Sequence, residues 1–387
     1  MEFPTRRRVL GAASGIAIAT LAGCVNVRSV DSGGAGDDSS SGAVDADSTT
    51  DGDAETTDAT EPDGDVDDES WPPTADRQLP EAYTIEELND SSMSGGPPPD
   101  GIPAIDEPKF RDADDPPSNL VDESPVFGVE IDGDVRAYPQ HILVWHEIVN
   151  DVVGGERVAV TYCPLTGTAQ GFYRGETTFG VSGQLINTNL VMFDRATDSY
   201  WSQILARGIT GPHNGDYLTE FQVVWTTWKR WRTSHPETKV LSETTGFAKN
   251  YGSDPYGDYL EESGYYVTAN TMFPLLNRDD QFHPKDVVIG ARNEDGALAV
   301  EKGRLRDETV VEGTLDDVDY VTVYDADLDT GYVYRNPDTI AVEPRGEGYA
   351  VDGDTHGPAD LPLDRQIAFD AMWLAWYGYY PSTVIHE

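Results

Sequence analysis

The chain has 387 residues and a formal net charge of −44, from 70 acidic and 26 basic residues. This balance excludes nucleic-acid binding, which needs a basic face. Only six of the basic residues are lysines, and a dense carboxylate surface in which arginine outnumbers lysine is typical of halophilic proteins. In molar salt the Debye length falls to about 3 Å, so the mutual repulsion of these carboxylates is screened.

Residues 1–24 have the features of an export signal. Three consecutive arginines at positions 6–8 precede a run of small and apolar residues over 11–22, which is shorter than the ~20 residues that span a bilayer. This pattern predicts a secretory signal, and the paired arginines favour the twin-arginine route. The sequence LAGC at 21–24 resembles a lipobox. We therefore expect a lipid anchor at Cys24 on the outer face of the cell membrane, with an uncut transmembrane anchor as the alternative.

Residues 25–75 are predicted to form a disordered acidic stalk. Fifteen acidic residues and no basic residue occur between Asp31 and Glu69. Such a segment cannot bury enough apolar surface to offset the entropy cost of ordering. We expect it to hold the following domain away from the membrane.

The remaining chain is predicted to be a β-rich α+β domain with an internal duplication, whose halves cover residues 76–260 and 261–387. The pattern Trp-x-x-Trp-x-x-x-x-Pro-x-Thr at 228–238 recurs at 373–383, and residues 125–143 resemble residues 286–305. Repeated patterns of this kind indicate related structural units. Each half should contain antiparallel strands and a short helix whose two tryptophans pack in the core.

The chain order of elements in the first half follows from turn and periodicity signals. Asp132-Gly133 predicts a hairpin turn. A helix is expected from Pro139 to Val153, ended by Gly154-Gly155, because its apolar residues share one face at 100° per residue. Further strands are expected over 157–163, 169–174, 178–182 and 190–194, followed by a helix over 223–234.

A site is predicted where this helix meets the strand that ends at Cys163, the only cysteine besides Cys24. On the expected helix, His146 and Asn150 lie one turn apart beside the buried face. His146 could activate Cys163 as a nucleophile, or thiolate and imidazole could bind copper or zinc. The alternative is that both are packing residues, since free cysteine is among the most buried residue types. The second half has no equivalent trio; the matching positions carry Glu308, Glu312 and Asp325.

A polar stretch between residues 175 and 211 has no counterpart in the shorter second half. Its polar side chains could line a cleft for a polar ligand, or they could hydrogen-bond within loops and at the surface. The candidate ligand-binding residues are Ser182, Asn187, Asn189, Asp194, Arg195, Trp201 and Gln203.

The ordered motifs HEIVND, VTYCPLTGTA, FGVSGQL, NLVMFDRATDSYWSQ and YGSDPYGDY resemble the family called domain of unknown function 3179, found in bacteria and halophilic archaea. The resemblance runs from about Pro125 to the C-terminus and implies no activity. Many relatives carry a second cysteine at the position of Thr166, so its absence here argues against a dithiol redox cycle. The resemblance also highlights His283, a third candidate metal ligand.

Three functions remain open at this point. The first is a surface lipoprotein with a metal-binding or redox site, the second an enzyme with a cysteine nucleophile, and the third a non-catalytic surface protein.

Overall fold

The computed structural model describes residues 71–387. The predicted signal, the Cys24 anchor and most of the predicted stalk lie outside these residues. Within the described part, no helix is both long and apolar enough to cross a membrane. The described chain is β-rich, with several antiparallel sheets and a few short helices.

The strands before residue 261 are β1 (Thr74–Ala75), β2 (Met93–Ser94), β3 (Phe110–Asp112), β4 (Pro125–Ile131), β5 (Asp134–Pro139), β6 (Ile148–Val153), β7 (Glu156–Cys163), β8 (Thr168–Tyr173), β9 (Phe179–Ile186), β10 (Asn189–Asp194), β11 (Tyr200–Ser202), β12 (Arg207–Gly208), β13 (Tyr217–Leu218), β14 (Glu220–Phe221), β15 (Val224–Thr227) and β16 (Lys239–Leu241). Those of the second half are β17 (Val287–Asn293), β18 (Gly296–Glu301), β19 (Val310–Leu315), β20 (Val318–Asp325), β21 (Thr330–Arg335), β22 (Val342–Arg345), β23 (Gly348–Val351), β24 (Asp354–His356), β25 (Asp364–Gln366), β26 (Ala368–Met372) and β27 (Val384–Ile385). The helices are α1 (Ile85–Asp90), α2 (Gln140–His146), α3 (Trp228–Ser234), α4 (Lys302–Glu308) and α5 (Trp373–Tyr379), with a 3-10 turn over Gly264–Val267.

The first half contains three sheets, ordered β1-β13-β12-β11-β10-β9-β2, β14-β8-β7-β6 and β15-β4-β5-β16-β3. The second half contains β26-β17-β18-β27, β19-β20-β21-β25 and β22-β23-β24. Pairs of these strands are antiparallel except β5 with β16 and β18 with β27. The order β4-β5-α2-β6-β7-β8 of the first half matches the order β17-β18-α4-β19-β20-β21 of the second. The helix α4 was not predicted from the sequence.

The sheet that carries Cys163 separates two apolar cores. Alternate side chains of a strand point to opposite faces. Ala159 and Cys163 of β7 pack in one core, whereas Val158 and Val160 pack in the other. Cys163 therefore lies on the face of its sheet that packs against residues of the second half, among them Tyr265 and Met372 of the same core.

Two predicted helix ranges are wrong. The helix expected to end at Val153 stops at His146, and residues 148–153 form the strand β6. The β-branched Ile148, Val149, Val152 and Val153 favour a strand that pairs with β7, and Gly154-Gly155 is the turn of that hairpin. The helix expected over 223–234 begins at Trp228, because Val224–Thr227 pairs with β4.

The predicted tryptophan packing is confirmed, and it explains the residues that recur between the halves. Trp231 covers Gly128, and Trp376 covers Gly290. The indole N–H groups of these two tryptophans donate to Thr238 and Thr383 over 2.9 Å in each case. The repeated glycine and threonine thus make room for the ring and satisfy its buried donor.

Alanine at Gly128 or Gly290 is expected to destabilise the protein. An added Cβ would lie 2.3 Å from the nearest indole carbon at either position, and overpacking of this kind costs about 1–3 kcal/mol or more. Chemical unfolding at fixed molar salt measures the change. Gly252→Ala is the control, since its Cβ would meet no atom closer than 3.6 Å; equal stabilities of all three variants would contradict the packing.

Candidate functional site

Cys163 ends β7 with only 1 % of its surface exposed. Its sulfur lies 3.7 Å from the carbonyl oxygen of Thr188. Burial raises the pKa of the thiol to about 11, and the nearby Glu147 carboxyl adds to the shift. At neutral pH the group is therefore a thiol, which is a poor nucleophile and a poor metal ligand.

His146 is the last residue of α2 and is fully buried. Its Nδ1 donates to the carbonyl of Pro103 and its Nε2 accepts from the hydroxyl of Tyr251, each over 2.7 Å. Burial lowers the pKa of the imidazole to about 4 against the opposing effect of the Pro103 carbonyl. His146 is thus a neutral histidine whose two ring nitrogens are bonded to groups other than Cys163.

Asn150 lies on β6 opposite Ala159, four residues along β7 from Cys163. At about 3.3 Å per residue this separates the two positions by about 13 Å. The Asn150 amide donates to Asp106 over 2.7 Å and exchanges two 2.9 Å hydrogen bonds with the backbone of Phe179. The structure therefore does not bring Asn150 to the thiol.

The candidate ligand-binding residues of the polar stretch already have hydrogen-bond or ion-pair partners within the protein. Asn189 bonds to Thr166, Thr168 and Gln203, which itself donates to Thr161. The remaining five have these partners: Ser182 donates to Val191, Asn187 to Ala375 of α5, Trp201 to Asp194, and Arg195 pairs with Asp100. These contacts indicate that the set holds loops and sheets together.

Two ionisable residues that were not predicted from the sequence lie near Cys163. Glu147 directly follows α2 with φ of 57°, is 7 % exposed, and its carboxyl has a pKa raised by burial to about 8. Lys285 is 7 % exposed, and burial lowers the pKa of its amine to about 7 although the nearby Cys163 opposes the shift. We call Glu147, Cys163 and Lys285 the acid–thiol–amine cluster.

The Nζ of Lys285 has no hydrogen-bond partner within residues 71–387. It lies 3.2 Å from the centroid of the Tyr265 ring, a cation–π contact that favours the ammonium form. The Tyr265 hydroxyl in turn donates to the carbonyl of Leu165, two residues beyond Cys163. A buried amine without an acceptor is costly.

Lys285 lines a cleft of about 670 Å³ to which both halves contribute. This volume is in the range of small-molecule sites. Trp225, Tyr259 and Tyr266 provide aromatic surface. Two ion pairs, Lys302 with Asp370 and Arg306 with Asp329, provide donors and acceptors.

The predicted metal ligand His283 lines the same cleft. The backbone N–H of Lys285 donates to the Nδ1 of His283 over 3.3 Å. Within the described residues no group of three or more His, Cys, Asp and Glu side chains is placed to hold a metal ion. The sequence did contain two signals for the missed residues. Glu147 follows His146 in HEIVND, and Lys285 is one of only six lysines.

Comparison with known families agrees with the resemblance seen in the sequence. The model of the family described as "Protein of unknown function (DUF3179)" matches residues 99–383, which include the cleft and the acid–thiol–amine cluster. Comparisons with curated proteins and with solved structures give no match. The chain therefore belongs to the DUF3179 family.

Proposed function

We propose that this protein binds a small polar molecule in the cleft, with the amine of Lys285 as its central contact. The proposal rests on a cleft of ligand size whose wall includes Lys285, and within the described residues the buried Nζ of this lysine has no hydrogen-bond partner. Of the chain's six lysines, only Lys285 and Lys302 are buried, and both line this cleft. Lys302 is neutralised by Asp370, so Lys285 is the amine left for a ligand.

We propose the outer face of the cell membrane as the place of this function, with a lipid anchor at Cys24 and export by the twin-arginine route. The basic head, the short apolar run and the LAGC sequence support the anchor. The acidic composition supports a halophilic setting. Metabolic labelling with a radioactive lipid precursor tests the anchor, since Cys24→Ala should abolish incorporation.

We further propose that the two halves arose by duplication. The matched order of elements and the paired contacts of Gly128 with Trp231 and of Gly290 with Trp376 support it. An experimentally determined structure tests it. The strands β4–β8 should superpose on β17–β21 with these glycines and tryptophans on each other, and a failure to superpose would remove the proposal.

A copper or zinc site through Cys163 and His146 has less support. Both nitrogens of His146 already have partners, and burial disfavours the thiolate that a metal needs. Elemental analysis of wild type and Cys163→Ser, both purified in molar salt, decides between the metal site and the cleft. Stoichiometric copper or zinc that the substitution removes would favour the metal site over the cleft.

Binding in the cleft should require Lys285. Pyruvate, glyoxylate and glyceraldehyde are suitable small probes, because each carries carbonyl and other polar oxygens. A charge-assisted hydrogen bond contributes about 1.5–3 kcal/mol, so Lys285→Met should weaken binding by roughly 10- to 100-fold. Thermal unfolding with increasing probe concentration measures this effect.

The matched control is Lys249→Met. Lys249 also faces an aromatic ring, that of Trp145 at 5.8 Å, but it does not line the cleft. We expect Lys249→Met to keep the stabilisation by the probes. If none of the three probes stabilises wild type, or if both variants respond as wild type does, the proposed function is wrong.

A further inference from the structure

We infer that the ligand of the cleft is a sugar, held by aromatic rings on its C–H face and by two ion pairs at its hydroxyl groups. This inference rests on the proposed binding in the cleft and specifies the ligand's chemical class. The observation that carries it is the combination of surfaces in one cleft. Trp225 and Tyr259 line it together with the ion-paired Lys302, Arg306 and Asp370.

The aromatic rings of the cleft support one another. The Tyr259 ring centroid lies 5.6 Å from that of Trp225 and 4.5 Å from that of Tyr266. Tyr259 is nevertheless partly exposed, so some of its surface is available to a ligand. Aromatic surface of this kind is stabilised when it is covered by apolar C–H groups.

The ion pairs of the cleft offer hydrogen-bond donors beside acceptors. The Nε and Nη2 of Arg306 donate to the two carboxylate oxygens of Asp329 over 2.7 and 2.8 Å, and the Arg306 side chain is about half exposed. This pairing leaves further N–H donors of the guanidinium for a ligand. Lys302 donates to Asp370 in the same way, and an ammonium group can also donate more than one hydrogen bond.

These pairs favour a neutral ligand. In both of them a carboxylate neutralises the positive charge, so an anion would meet the carboxylates and a cation would meet the amine and the guanidinium. Two further carboxylates of the cleft, those of Glu301 and Asp286, already accept hydrogen bonds from backbone N–H groups. A hydroxyl group both donates and accepts, so it can bond to both members of an ion pair.

A sugar matches both surfaces, because its ring has an apolar C–H face and carries hydroxyl groups around its edge. Burial raises the pKa of the Tyr259 hydroxyl and the nearby Asp370 carboxylate adds to the shift, so the rings and the ion pairs are neighbours. One sugar ring could therefore contact both. A hydrocarbon ligand would cover the ion pairs without giving them new partners, which is costly.

Binding to a glycan array tests the inference. Labelled wild-type protein in molar salt is applied to an array of common mono- and oligosaccharides, and thermal unfolding with the free sugar then measures the affinity for each one that binds. We expect at least one neutral sugar to bind. Arg306→Ala should weaken that binding by roughly 10- to 100-fold, because it removes a charged hydrogen-bond donor.

The matched control is Arg304→Ala. Arg304 lies on the same helix α4 and pairs with Glu308 over 2.9 Å at similar exposure, but it does not line the cleft. Surface pairs contribute little to stability, so both variants should fold, and Arg304→Ala should bind the sugar as wild type does. If no sugar on the array binds, or if the two variants weaken binding equally, the inference is overturned.

The same measurements separate this inference from the proposed function. Stabilisation by pyruvate without binding of any sugar would leave the proposed function and remove the sugar. Absence of both would remove both. A sugar that binds Lys285→Met as tightly as wild type would support the sugar site and remove Lys285 as its central contact.

Discussion

Glu220→Gln should destabilise the protein by about 3–5 kcal/mol, which is the cost of leaving a buried charge without its partner. Glu220 and Arg292 are fully buried and bonded over 2.9 Å, and Arg77 pairs with the other carboxylate oxygen. Glu220 lies in the first half and Arg292 on β17 of the second, so the pair connects the halves. The amide removes the negative charge with little change of shape and leaves two guanidinium groups facing each other.

The ion pair of Glu220 should also make the stability of the fold depend on pH. Burial alone would raise the pKa of Glu220, but Arg292 and Arg77 outweigh it and hold the pKa below its ordinary value of 4.5. A carboxyl whose pKa is lower in the folded state stabilises the fold above its unfolded pKa and loses that contribution as the pH falls through the folded pKa. Wild type should therefore lose this contribution below about pH 4.5, and Glu220→Gln should not.

Chemical unfolding at constant molar salt measures both effects. Glu176→Gln is the matched control, because Glu176 pairs with Arg157 at the surface, where both side chains are about half exposed. Surface pairs contribute about 0–1 kcal/mol. A loss in Glu220→Gln no larger than that in Glu176→Gln would show that the buried pair does not hold the halves together.

Cys163 should be nearly inert to alkylation in the folded protein. With a pKa of about 11, the thiolate fraction at pH 7 is roughly 300-fold smaller than that of a free cysteine of pKa about 8.5. The residue is also buried, with only 1 % of its surface exposed. We expect labelling by an uncharged alkylating agent to be slower than that of a small free thiol by more than two orders of magnitude.

Denaturant supplies the control for this labelling, since the unfolded chain should react at the ordinary rate. Folded protein that reacts as fast as the free thiol would restore the cysteine-nucleophile hypothesis. An inert thiol would leave Cys163 as a neighbour of Lys285 that contributes to the buried surroundings of the amine. The two outcomes therefore test the cysteine-nucleophile enzyme, which is one of the three functions that the sequence left open.

Local signals predicted much of the first half. The expected strands that end at Cys163 and at Asp194 are confirmed as β7 and β10, and the hairpin turn at Asp132-Gly133 is confirmed by positive φ at both residues. The helix was predicted to run too far because the chain turns at Glu147, where a positive φ leads from α2 into β6. Isoleucine and valine suit both a helix face and a strand, so periodicity alone could not place that turn.

The site was harder to predict, because its geometry depends on residues far apart in sequence. Neither the bond of His146 with Tyr251 nor the position of Lys285 near Cys163 follows from helix phase or strand alternation. The sequence placed His146, Glu147 and Cys163 near one another along the chain. It could not show that the long segment before β17 returns to this point with Tyr265 and Lys285.

The proposed binding site centres on Lys285, a residue of the cleft wall whose buried amine has a pKa lowered to about 7. The most direct test is a pH titration of the ε-carbon signals of ¹³C-labelled lysine in the folded protein by nuclear magnetic resonance, with Lys285→Arg to assign the Lys285 signal. We predict a midpoint at about pH 7 for Lys285. A midpoint near 10.4, that of an ordinary lysine, would show that the amine of Lys285 is not buried as described.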